Sequence, residues 1–216
     1  MENKERILGA AEKLFFQFGV RSVTMDEVAQ QTGMSKKTIY QLFSDKNTLV
    51  REVAQYRLMT EREIVRQVQQ MSKNPIEEII VSMKVLRELS QKVNPVIFYD
   101  LQKYHLEAWG LYQEHKDFFR SIVETNLRKG QELGLYRPEI DPLVLSILRI
   151  QCVEMGFDQT LFPISQFNFE DVQTQFIDHF LHGILTEEGQ RVYQETLSQI
   201  DSFVFPNHFH NQFKYQ

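Results

Sequence analysis

Thr24-Met25-Asp26-Glu27-Val28-Ala29-Gln30-Gln31-Thr32-Gly33-Met34-Ser35-Lys36-Lys37-Thr38-Ile39-Tyr40-Gln41-Leu42-Phe43 is the stretch whose reading decides the fold. Its first four residues form a capping box, in which the Thr24 hydroxyl and the Glu27 carboxylate satisfy opposite unpaired amides at a helix start. Gly33-Met34-Ser35 is too tight a turn for an ordinary antiparallel pair of helices, and Ser35 caps a second helix at once, so that helix must cross the first. Val28, Ala29, Met34, Ile39, Leu42 and Phe43 read as the buried side, expected to pack on Leu14 and Phe18 of a preceding helix. Lys36, Lys37, Thr38, Tyr40 and Gln41 stay on the other side. A helix ~10–12 Å across fits a DNA major groove ~12 Å wide, and this face mixes cations for phosphates with hydrogen-bonding groups for base edges. Out of context a lysine pair is only a solvated face. Tyr40 also reads as a half-buried core ring, a role compatible with an outward hydroxyl.

Upstream, Ile7, Ala10, Ala11, Leu14, Phe15 and Phe18 follow one another at three- and four-residue steps, and Gly19 stops that helix. Downstream, Asn74-Pro75 with Glu77, Asn94-Pro95 and Asp141-Pro142 each place a side-chain cap before a proline that needs no bond in the first turn. Ser44 reads as a further cap. The spacing predicts helices near 3–18, 25–31, 36–42, 45–71, 75–92, 95–104, 107–133, 142–157, 168–185 and 187–200. No segment alternates long enough to argue for a strand. The fold class is therefore all-α.

Among 216 residues, Gly 9 and Pro 6 are low, which favours helices. The formal charge of -5 hides a split: 7 basic against 6 acidic residues in 1–50, and 17 against 23 in the remainder. Charge does not exclude DNA at the N-terminal end. Lone Cys152 has no internal disulfide partner, and mid-helix among apolar residues it reads as an inert core thiol. Met1-Glu2-Asn3-Lys4-Glu5-Arg6 lacks the apolar core of a signal peptide, and no apolar run approaches the ~20 residues of a membrane span, so a cytoplasmic, soluble protein is expected. His179 and His182, with Asp178, have permissible metal spacing but no second ligand cluster. His208 and His210 fall in a polar, aromatic tail, 206–216. Glu-x-x-His pairs, phosphate loops, nucleophile elbows and dinucleotide motifs are missing. No catalytic residue, cofactor or metal is assigned, and the chain is not read as an enzyme.

Ile7-Leu8, Ala10-Ala11, Leu14-Phe15, Gly19, Thr24, Val28-Ala29, Gly33-Met34-Ser35, Thr38-Ile39-Tyr40, Phe43, Lys46 and Leu49 together resemble the N-terminal pattern of the TetR family of bacterial repressors. The resemblance covers roughly the first fifty residues. It implies a three-helix helix-turn-helix DNA-binding domain over 1–47, a helical effector-binding and dimerisation domain over 48–205 and a tail over 206–216. It also implies a homodimer on a double-stranded operator, released by a small molecule. By the same resemblance Lys36, Thr38 and Tyr40 meet DNA from the recognition helix, and Thr24 and Lys46 grip phosphates; Ser35, and Lys37 as an added cation near the backbone, are read with them as the DNA-binding set. Lys37 stands where the family commonly has Gly. Asn47 replaces the usual acid three residues after Ser44.

The helix after Ser44 carries Leu49, Val53, Tyr56, Thr60, Ile64, Val68 and Met71 along one stripe over roughly 40 Å, a candidate lever between two sites. Residues 96–119 are dense in rings, and an aromatic stripe reads as core or as pocket. The resemblance implies a pocket partly lined by Phe98, Tyr99, Leu101, His105 and Trp109, faced by Met83, Leu86 and Cys152. Arg149 and Glu154 on one later helix either orient a polar ligand or are paired or exposed. Leu145, Leu148, Cys152 and Met155, with Val172, Phe176, Phe180, Ile184 and Leu185, form a two-fold bundle by family analogy, or else complete a monomer core. A helical adaptor that binds another protein is the rival function. The exposed cations around a groove-sized helix argue against it.

Overall fold

The computed structural model describes residues 2–90 and 93–200, so the expected tail with His208 and His210, and the expected last residues of the 75–92 helix, lie outside the described residues. The described residues form α1 (Glu2–Phe18), α2 (Met25–Thr32), α3 (Lys36–Leu42), α4 (Lys46–Met71), α5 (Pro75–Ser90), α6 (Val96–Tyr104), α7 (Leu106–Glu132), α8 (Pro142–Gly156), α9 (Phe169–Ile184) and α10 (Glu187–Ile200). No strand occurs among them, and Tyr136 with Leu185 makes one isolated antiparallel bridge.

The caps explain where these helices begin. Thr24 N–H donates to Glu27 Oε2 at 2.7 Å while Glu27 N–H donates to Thr24 Oγ1 at 3.2 Å, which closes the capping box. Asn74 Oδ1 accepts from Glu77 N–H at 2.9 Å and Asp141 Oδ1 from Leu143 N–H at 2.8 Å, whereas at the expected Asn94 cap Pro95 is itself the N-cap of α6 and Asn94, one residue earlier, accepts from Val96 N–H at 3.1 Å. One cap moves. Asp45 Oδ1, not Ser44, accepts from Thr48 N–H at 2.8 Å, and Ser44 Oγ instead lies against Asp45 Oδ2 and Thr48 Oγ1. Asn47 is therefore not the third residue after the cap; Thr48 is.

Residues 2–64 with 93–115 form one unit, and 65–90 with 116–200 form a second. In the first, Ile7, Ala11 and Phe15 of α1 meet Val28 and Ala29 of α2, Ile39 of α3, Phe43, and Leu49 and Val53 of α4 in one apolar core. Two expected members stay out of it. Phe18 is 50% exposed, because α1 ends there and the chain turns at Gly19, φ 81°, so that Val20 and Val23 supply the buried side chains beyond the turn. Leu42 is 40% exposed: the short α3 buries Ile39 and the capping Phe43, four apart, and Leu42 falls beside that line.

In the second unit Tyr136 is wholly buried, donates from its hydroxyl to Asn126 Oδ1 at 3.1 Å, and takes the space that a Cβ at Gly130 would need. Asn126 in turn donates to the Pro75 carbonyl at 2.9 Å, which ties α7 to the start of α5. The apolar stripe of α9, Val172, Phe180 and Ile184, with the following Leu185, is buried within the chain's own core. Phe176 is partly buried and its ring meets Phe162 edge-on at 5.6 Å.

Candidate nucleic-acid interface

Gly33 in the left-handed region, φ 67°, ends α2, and its N–H bonds back to the Ala29 and Gln30 carbonyls. Two residues later Ser35 caps α3: its Oγ accepts from Thr38 N–H at 3.1 Å and lies 2.9 Å from Thr38 Oγ1. The turn leaves Ile39 fully buried and Thr38 partly so, while Lys36, Lys37, Tyr40 and Gln41 are exposed. Tyr40 is 50% exposed, so the ring is half-buried and its outer part is open. Thr24 and Ser35, the two caps, lie exposed at neighbouring helix starts. Unpaired amides at a helix N-terminus, with threonine and serine hydroxyls beside them, suit phosphate oxygens.

The cations differ in what holds them. Lys37 has no acidic partner among the described residues, whereas Lys36 Nζ sits 2.5 Å from Asp26 Oδ2 of α2. Lys46, at the first position of α4, is partly buried and donates to the Arg21 carbonyl at 3.2 Å. Burial lowers its pKa, with the charges of Asp100 and Glu27 acting in the opposite direction.

Arg21 is a residue that sequence reasoning missed. Its N–H donates to Asp100 Oδ2 at 2.8 Å, and its guanidinium donates to the Tyr104 hydroxyl at 3.3 Å while lying over that ring. Asp100 is 5% exposed, and α6 packs so closely on the end of α1 that a Cβ at Gly19 would strike Val96 and crowd Asp100. The backbone of Arg21 is thus gripped on its N–H by α6 and on its C=O by the start of α4. A signal was present: Asp100 lies in register with the apolar Ile97 and Leu101, where a carboxylate is out of place without a partner.

Of the residues expected to line a pocket, Leu101 is buried in the first unit's core and Phe98 and Trp109 pack against it, each ring meeting Tyr112, at 5.4 and 5.2 Å. His105 ends α6; burial and the Lys46 charge lower its pKa, and its buried Nδ1 has no hydrogen-bond partner. Tyr99 is half exposed and accepts from Lys103 Nζ at 2.6 Å. In the second unit Met83, Leu86 and Cys152 are partly buried, and Met83 touches Arg149. His182 Nδ1 lies 2.9 Å from the Asp178 carbonyl oxygen, and among the described residues no group of three or more His, Cys, Asp or Glu could hold a metal ion. No helix among them is long and apolar enough to cross a membrane.

Residues 7–53 match the family model of the bacterial regulatory proteins of the tetR family. Over 186 residues the chain is 26% identical to the HTH-type transcriptional regulator YvaF of Bacillus subtilis, covering 85% of this chain and 96% of that one. A 53-residue stretch reaches 43% identity with YhgD of the same organism, over 24% of this chain and 28% of its length. A TetR-family transcriptional regulator from Agrobacterium tumefaciens has the same fold at TM-score 0.74 and 12% identity, over 86% of this chain and 98% of its own. A transcriptional regulator from Saccharomonospora viridis, solved in complex with choline, matches at TM-score 0.74 and 18% identity, over 86% and 99%. At such identities the structures speak for the fold alone. Residues 7–53 therefore carry a tetR-type helix-turn-helix, and the all-helical fold that continues it is shared along the chain with solved transcriptional regulators.

Proposed function

We propose that the chain is a repressor that binds a double-stranded operator as a homodimer in the cytoplasm and leaves it when a small molecule binds. The observation that carries this reading is α3, whose apolar side is buried at Ile39 while Lys36, Lys37, Tyr40 and Gln41 stand open. In this reading residues 1–47 read DNA and 48–205 dimerise and take the effector. Thr24, Ser35 and Lys46 hold phosphates, while Lys36, Lys37, Thr38 and Tyr40 enter the groove. The choline complex of the Saccharomonospora viridis protein supports small-molecule binding as the control.

The double grip on Arg21 supports a route for release. An effector that shifts α6 or α4 pulls on one side of the Arg21 backbone, and with it on Lys46. A preference of a few kcal/mol for the shifted state suffices to empty an operator.

The test is a binding titration on the DNA upstream of the chain's own gene at several salt concentrations. Lys46→Ala is expected to weaken binding to all sequences and to flatten the logarithmic salt slope by ~0.9, one phosphate's worth. An unchanged slope removes Lys46 from the interface, and the absence of any salt-dependent binding by the native chain removes the regulator reading.

A further inference from the structure

We propose that Arg149 seats the carboxylate of an apolar organic acid, which makes that chemical class the effector; the proposal rests on the reading of 48–205 as an effector-binding domain. α8 is built the wrong way round for a helix that merely completes a core. Its buried positions are Pro142, Ser146, Arg149 and Gly156, whereas Leu143, Val144, Ile147 and Leu148 face outward. The inward face therefore carries a cation at its centre, 6% exposed.

What surrounds that cation does not neutralise it. One guanidinium nitrogen, Nη2, meets the Met83 sulfur at 2.6 Å, and a thioether is a weak acceptor. The other, Nη1, is buried with no acceptor, and among the described residues no carboxylate pairs with Arg149. Two acids of α8 and the following helix have other partners: Glu154 sits 2.7 Å from Lys116 Nζ, and Glu170 of α9 pairs with Arg87. Burial lowers the Arg149 pKa to about 10, and the group that acts against this is the Cys152 thiol, not an acid.

A buried guanidinium without an anion is strongly unfavourable unless something completes the pair. Its planar fork matches a carboxylate with two parallel N–H···O bonds, and in a dry site such bonds are at their strongest. Met83 and Cys152, soft and weakly polar, suit the hydrocarbon part of the ligand beside that head group.

The experiment uses the full-length protein and five probes: octanoate, octanamide, octyltrimethylammonium, benzoate and benzamide, followed by calorimetry and by the melting temperature. At least one acid is expected to bind tenfold or more tightly than its own amide and to raise the melting temperature, with no response to the ammonium compound. Arg149→Met is expected to melt at or above the native temperature without ligand and to bind acid and amide alike. Arg149→Lys keeps the charge without the fork and is expected to fall between. Equal binding of acids and amides, no binding of either acid, a preference for the ammonium compound, or an Arg149→Met variant that melts lower with its acid preference intact would overturn the proposal. DNA binding by native protein and Arg149→Met is measured alongside: its absence in both defeats the regulator reading and leaves the acid site standing.

Discussion

If Lys36 meets DNA as proposed, it has to exchange partners first, because its ammonium is already 2.5 Å from Asp26 Oδ2. Both side chains are more than half exposed, and a pair of that kind contributes ~0–1 kcal/mol, little enough for a DNA phosphate to displace. Asp26→Asn removes the competitor and one negative charge beside the exposed side of α3. It is expected to tighten DNA binding by roughly 2–10-fold at low salt, with less gain as salt rises. The change costs at most a few tenths of a kcal/mol through the α2 dipole. Weaker binding would mean that Asp26 positions Lys36 for DNA instead of holding it back. The outward set on α3 was legible because a cap, a turn and a 3.6-residue period all sit within twenty residues. Asp26 was not, since it lies ten residues from Lys36 and meets it only through the crossing of α2 and α3. Arg21 and Asp100, 79 apart, meet through the docking of α6, which no local pattern encodes.

Helices fell close to where the sequence placed them because caps such as Asn74 and Asp141 fix a start by a bond within three residues. At Ser44-Asp45 two good caps are adjacent, and the carboxylate, the stronger acceptor, takes the helix. The contacts between helices were less legible, and one cluster shows why. Arg57 of α4 donates to Glu61 at 2.5 Å and to Glu12 of α1 at 3.3 Å, and His115 of α7 lies 2.7 Å from the other Glu61 oxygen. Burial works to raise Glu61, but Arg57 and the His115 bond outweigh it and hold the carboxyl at about 2. For Glu12 burial wins over Arg57 and raises the pKa. The signs are opposite. Glu61, depressed in the fold, stabilises above its unfolded value of 4.5, and that contribution is lost as pH falls towards 2. Glu12, raised in the fold, takes its proton early on acidification, and the fold gains from that protonation until pH reaches 4.5. Glu61→Gln is expected to cost about 3 kcal/mol at pH 7, with the penalty vanishing between pH 4.5 and 2. Glu12→Gln is expected to cost clearly less at pH 7. Urea unfolding of both variants from pH 7 to 3 separates the two; equal losses at pH 7 would show that the carboxylates share Arg57 evenly.

At the scale of the whole molecule, α8 and α9 place their apolar residues differently, although the sequence read both alike, as two-fold bundle or as monomer core. α9 spends its apolar stripe inside its own chain, while α8 leaves Leu143 46%, Val144 58%, Ile147 44% and Leu148 49% exposed on one face. A run of that kind on a helix otherwise turned inward through a charged residue has no benefit for a lone chain and suits a second copy packed two-fold against it. The expected bundle residues of α9 read equally well as core or as interface in the sequence, because both demand the same periodicity; only the complete set of neighbours separates them. Replacing both Ile147 and Leu148 by Glu places four like charges across a two-fold contact and none inside the chain. The double variant is expected to keep its helical circular dichroism, sediment as a monomer at micromolar concentration, and lose 100-fold or more in operator affinity. The loss follows because each recognition helix then meets only one half-site, without its mate one helical turn away. Its acid binding should survive, since Arg149 lies on the opposite face of the same helix. A variant that still sediments as a dimer would place the two-fold elsewhere, and one that is monomeric yet binds the operator undiminished would remove dimerisation from DNA recognition altogether.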